Sequence, residues 1–118
     1  MNEQVITFCF NNVGALSADY VWYARLPYSL TLQSVSAVGS NATNATIAVG
    51  NSSDAAAYMT AQAVGQSGTP ARYTRANFVG GSAHVPKDTV LKVTVDYDGA
   101  GGTAVQNLQV VITALVGA

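Results

Sequence analysis

The residues of this 118-residue chain with the potential for chemistry are few, and their spacing soon decides which reactions are open to them. Asp96 and Asp98, in Asp96-Tyr97-Asp98-Gly99, could begin a calcium loop, because Ca²⁺ takes several carboxylate and carbonyl oxygens. The glutamate such a loop needs at its twelfth position is replaced by Asn107, so the run reads as a turn and no metal is expected. His84 is the one histidine; a single chain offers neither a catalytic triad nor a two-histidine metal site around it, and it reads as an exposed loop residue. Cys9 is the one cysteine, which excludes an intramolecular disulfide and leaves no second thiol for a metal. Within Val5-Ile6-Thr7-Phe8-Cys9-Phe10 it reads as a packed strand residue rather than a reactive thiol. No serine occupies a Gly-x-Ser-x-Gly elbow, and no glycine-rich phosphate loop with a lysine follows a strand. No catalytic residue, metal or cofactor is expected, and the chain does not read as an enzyme.

Contact chemistry is the alternative. Strand alternation puts Tyr20 and Trp22 on one face and Val21 and Tyr23 on the other; one face is core, and the aromatics of the other are free to stack on sugar rings or fill a subunit interface. Arg72, Tyr73 and Arg75 form the one local basic-aromatic cluster, of types enriched at interface hot spots, with a solvated loop edge as the competing reading. The last strand carries Val111 and Leu115 on the face opposite Leu108, Val110, Ile112 and Ala114, so it is apolar on both sides and wants a partner on each. The Asn-x-Ser/Thr triplets at Asn41, Asn44 and Asn51 read as the product of an Asn/Thr/Ser-rich composition. The opening Met1-Asn2-Glu3-Gln4 has no basic n-region and no apolar h-region, so no signal peptide is expected.

Charged residues make up only 9% of the chain, against roughly 25% in ordinary soluble domains. Five basic residues (Arg25, Arg72, Arg75, Lys87, Lys92) against six acids give a net charge of −1. A nucleic-acid partner is not expected, since phosphate neutralisation needs a basic face. A membrane span is not expected either, since no apolar run approaches ~18 residues. So little charge leaves a free monomer short of like-charge repulsion, which suggests that much of the surface lies against other subunits; a merely neutral sandwich is the competing reading.

The elements that would position these residues are strands. Gln4–Phe10 and Asp19–Arg25 are the first two; a third runs from Leu30 to Ala37 with a bulge at Gln33-Ser34, and a fourth covers Ala45–Val49. From Ser53 through Asp54-Ala55-Ala56-Ala57-Tyr58-Met59 the sequence predicts an N-cap and a short helix or an irregular loop. Another strand is expected over Arg72–Val79, and Pro86-Lys87-Asp88 turns into a strict alternation of Leu91, Val93, Val95 and Tyr97. Asp98-Gly99-Ala100-Gly101-Gly102 then reads as the turn of a hairpin whose return strand is Val105–Val116. Residues 1–118 are read as one all-β domain, an antiparallel β-sandwich with at most one short helix.

Three segments carry a family resemblance. They are Leu26-Pro27-Tyr28-Ser29-Leu30 continuing to Ala37, then Thr46-Ile47-Ala48-Val49-Gly50, and Val85-Pro86-Lys87-Asp88-Thr89 continuing to Val95. A proline turn leading into a strand, a strand ending at glycine, and a Pro-x-Asp turn opening a late strand together resemble the small jelly-roll head decoration, or cement, proteins of tailed bacteriophages. The resemblance implies a jelly-roll sandwich of about eight strands that forms a homo-oligomer, a trimer ahead of a dimer, and clamps the major capsid protein. It implies a place on the virion surface after synthesis in the host cytoplasm, and it transfers no functional residue position by position. Tyr20, Trp22, Tyr23, Arg72, Tyr73, Arg75, Val111 and Leu115 are the candidate subunit or capsid contacts. A carbohydrate-binding or receptor-binding, adhesin-like sandwich using Tyr20, Trp22 or Tyr23 is the alternative function.

Overall fold

The computed structural model describes residues 4–81, 83–98 and 102–116. Nine strands follow one another: β1 Gln4–Asn11, β2 Tyr20–Arg25, β3 Leu30–Val38, β4 Thr46–Asn51, β5 Met59–Ala63, β6 Ala71–Tyr73, β7 Ala83–Val85, β8 Val90–Asp96 and β9 Gln109–Val116. They form two antiparallel sheets, one in the order β1-β9-β3-β6 with β7 also on β3, the other in the order β2-β8-β4-β5. β6 lies against the end of β3 at Val35–Ala37 and β7 against its start at Leu30–Leu32, so the two act as one interrupted strand. Counted that way there are eight strands, and the chain changes sheet at every connection except that from β4 to β5, which pair side by side in the second sheet. This is the jelly-roll arrangement expected from the resemblance.

Alternation along the strands builds the core. In the first sheet the row Phe8, Ile112, Val35, Tyr73 points inward, as does the row Ile6, Ala114, Leu32, Ala83. In the second sheet the inward rows include Trp22, Val93, Val49, Met59 and Tyr20, Val95, Ile47. Leu32, Val35, Ile47, Val49, Val93, Val95, Val110 and Ile112 have no exposed surface. Full burial of such a side chain stabilises by about 1.5–3 kcal/mol. The bulge expected in the third strand is present as a register shift between Leu32 and Ser34, which keeps both Leu32 and Val35 in the core.

Two expectations are corrected and one open alternative is decided. β8 and β9 are not a hairpin: β8 pairs with β2 and β4, and β9 with β1 and β3, in opposite sheets. The connection between them crosses the end of the sandwich, anchored in the core by Val105 and Leu108; Gly99, Ala100 and Gly101 of the expected turn lie outside the described residues. Residues 54–58 form turns rather than a helix, because Asn51 Oδ1 accepts the N–H groups of Ser53 and Asp54, and Asp54 Oδ1 accepts that of Ala56. These side-chain bonds offer the backbone an alternative to helix. The strand expected over Arg72–Val79 stops at Tyr73 and gives way to 3₁₀ turns at Arg75–Asn77 and Val79–Gly81, where Gly80 and Gly81 have φ of 72° and 75°.

At one end of the sandwich three loops are knitted by asparagines. Asn41 Nδ2 donates to the Ala104 carbonyl and its Oδ1 accepts from the Gln106 N–H. Asn44 Oδ1 accepts from Thr103, and Asn107, at φ 50°, accepts from the Gly14 N–H while its own N–H donates to the Gly14 carbonyl. The Asn-x-Ser/Thr composition of the sequence therefore has a local cause: Asn41, Asn44 and Asn51 each satisfy loop backbone that no strand pairs.

Candidate interaction surface

The outward rows of the two sheets are unlike. On the first sheet Val5, Leu115, Thr31 and His84 form one outward row, and Cys9, Val111, Ser36 and Arg72 another. β1, β9 and β3 contribute no charged side chain; Arg72 stands at the far border on β6. Val5 is 65% exposed and Cys9 is exposed, while Val111, Thr113 and Leu115 in the middle are half-buried by the strands on either side. On the second sheet the outward positions include Arg25, Lys92, Asp96 and Tyr23. One outer face is neutral and partly apolar, and the other carries both signs of charge.

The candidate contact residues divide among four places. Val111, Leu115 and Arg72 share the neutral face. Val111 and Leu115 do not meet the edge of the opposite sheet, one of the two partners that a two-sided strand invites; they look outward, because β9 lies between β1 and β3. Tyr20 and Trp22 point inward at the open side of the sandwich, where Trp22 stacks with Phe10 at 5.3 Å between ring centroids and with Tyr20 at 4.6 Å. This ladder of rings bridges β1 and β2 and closes the gap between the sheets. Tyr23 is 61% exposed on the charged face, so the three aromatics do not form one platform. Tyr73 is an inward residue whose hydroxyl donates to the Ala63 carbonyl at 2.6 Å, and Arg75 donates through Nε to the Gly81 carbonyl at 3.2 Å. The cluster Arg72, Tyr73, Arg75 is thus split between outer face, core and turn.

Cys9 is corrected from packed to exposed, since the β1 register turns Ile6, Phe8 and Phe10 inward and leaves Cys9 on the opposite side. His84 lies on β7 rather than in a loop, exposed and opposite Thr31. Val5, Thr7 and Cys9 were missed as surface residues, although their alternation with Ile6, Phe8 and Phe10 was the available signal. The loop of residues 12–20 frames an open depression of about 320 Å³. Its one carboxylate, Asp19, accepts the Tyr97 N–H, and Asp96 accepts that of Asp98. At the Asp96-Tyr97-Asp98 corner the Asp96 carboxylate is therefore engaged by the turn's own backbone, and Asp98 takes the left-handed φ of 50° that the turn requires.

No family model matches the chain, and no curated protein matches it. Among solved structures it is similar to a chain of the cyanophage Pam1 capsid asymmetric unit, with a TM-score of 0.57 and 20% sequence identity, over 97% of this chain and 84% of that one. The likeness is one of fold.

Proposed function

We propose that the chain is a structural virion protein, a capsid decoration protein that self-associates and docks on a phage head through the outer face of the β1-β9-β3 sheet. The observation that carries the reading is the contrast between the two outer faces. A neutral face with Val5, Val111 and Leu115 sheds its water at low cost when covered, whereas stripping Arg25, Lys92 and Asp96 of water on the other face requires matched partners. The fold shared with a chain of a cyanophage capsid supports a head as the place where that face is covered. The protein works by contact area and not by catalysis, and a lattice of repeated sites lets each contact stay modest.

The adhesin-like alternative finds little support in the geometry: Trp22 is committed to the Phe10 and Tyr20 stacks, and Tyr23 stands alone on the charged face. The test is sedimentation of purified heads of the encoding virus with added protein. Co-sedimentation that saturates at a fixed number of copies per capsid subunit is expected. Protein left in the supernatant at every concentration would end the decoration reading.

A further inference from the structure

The two sheets present four edges, and three of them are blunted in the ways natural sandwiches avoid edge pairing. β6 and β7 are three residues each and are separated by 3₁₀ turns. β5 has five residues and meets β4 through a register shift between Ile47 and Val49. β2 ends at the charged Arg25, two residues before Pro27. β1 is different: eight residues, Gln-Val-Ile-Thr-Phe-Cys-Phe-Asn, with no charge, proline, glycine or register shift, paired with β9 on one side and with no described strand on the other.

The polarity of that edge follows from the ladder. Asn12 donates its N–H to the Leu108 carbonyl at 2.9 Å, and this pair continues the register that sets Asn11 opposite Gln109. Antiparallel pairs alternate between those that exchange hydrogen bonds and those that do not. Ile6, Phe8 and Phe10 therefore spend their backbone groups on β9, while Val5, Thr7, Cys9 and Asn11 turn N–H and C=O to the open edge.

We infer that β1 pairs antiparallel with β1 of a second copy about a two-fold axis at Phe8, joining the two β1-β9-β3-β6 sheets into one. That register places Thr7 opposite the partner's Cys9 and Val5 opposite the partner's Asn11, so all four outward-turned residues of each strand find a partner. It brings the two Phe8 rings together on the inner side, beside the half-buried Ile6 and Phe10, and sets no charge against charge. A second copy is the occupant that the strand itself specifies, because this antiparallel register is self-complementary. The contact is isologous and closes at two copies, so the assembly is a dimer rather than the trimer that the family resemblance puts first. The inference rests on the proposed self-association for its biological sense, but it requires no capsid.

The experiment uses the full chain. Light scattering should give twice the monomer mass for the wild type. Thr7→Pro removes an N–H that the ladder turns away from β9, so it should give a folded monomer whose unfolding midpoint, unlike that of the wild type, does not depend on protein concentration. Thr7→Cys with the native Cys9 should cross-link to a dimer on oxidation, and combining it with Cys9→Ser should remove most of that product, a readout independent of how well the proline variant folds. A monomeric wild type, a Thr7→Pro variant that remains dimeric, or cross-linking as strong without Cys9 as with it would each overturn the interface. Heads left bare by a dimeric wild type would remove the decoration reading alone, and a monomer that coats heads would remove the interface alone.

Discussion

Asn41 closes its carboxamide on the backbone around Gln106, accepting the Gln106 N–H at 3.0 Å while donating to the Ala104 carbonyl at 2.9 Å. Two loops 65 residues apart in sequence are held by one side chain, at the end of the sandwich where the chain crosses between sheets. Asn41→Ala should destabilise by about 1–2 kcal/mol, because it leaves two backbone groups without partners. Urea unfolding would read it, and Asn41→Asp should not restore the loss, because the carboxylate keeps the acceptor for Gln106 but sets a second oxygen against the Ala104 carbonyl.

The second face of β8 contains the one buried side-chain polar atom without a hydrogen-bond partner among the described residues, Thr94 Oγ1, in the row between Val21 and Ala48. Thr94→Val keeps the shape and removes the hydroxyl. It should raise stability by about 1 kcal/mol, seen as a higher urea midpoint with an unchanged slope.

Glycines should separate by their surroundings. A Cβ at Gly50 would run into the backbone of Asp54 and Ala55, where no flexible group can yield, so Gly50→Ala should cost about 2–3 kcal/mol. A Cβ at Gly14 meets nothing, and only its φ of 89° opposes the change, so Gly14→Ala should cost about 1 kcal/mol. Equal losses at the two positions would contradict the packing described around Gly50.

Trp22 and Tyr23 are neighbours in sequence with opposite roles. Trp22→Ala removes the ring that stacks with both Phe10 and Tyr20 and should cost about 2–3 kcal/mol. Tyr23→Ala, at an exposed position, should stay within about 0.5 kcal/mol. Thermal unfolding of the two variants reads the difference.

How far the sequence reached can be judged at particular residues. Period-two alternation located β1, β2, β3 and β8 and even the bulge beside Ser34, because a one-residue slip would expose Leu32 or Val35. It could not say which strand lies beside which. A glycine-rich run after Tyr97 suits a hairpin and a crossing between sheets equally, and the choice is made by Val105 and Leu108 reaching the core. The alanines at 55–57 favoured helix by propensity, and the Asn51 and Asp54 side chains overrode them. Of the candidate contacts, Val111 and Leu115 were legible from two-sided apolarity. The neutral face they belong to was not, since it is assembled from β1, β3 and β9, which only the topology brings together.

The claim that function resides in that face is tested most directly by titrating purified heads with two lysine variants. Leu115→Lys places a charge in the neutral face, and Tyr23→Lys adds one to the face that already carries Arg25 and Lys92. Both should fold, as judged by circular dichroism and unfolding midpoint. Head binding should weaken at least about tenfold for Leu115→Lys, the equivalent of 1.4 kcal/mol, and stay at the wild-type level for Tyr23→Lys. Undiminished binding by Leu115→Lys, or a loss confined to Tyr23→Lys, would contradict the account.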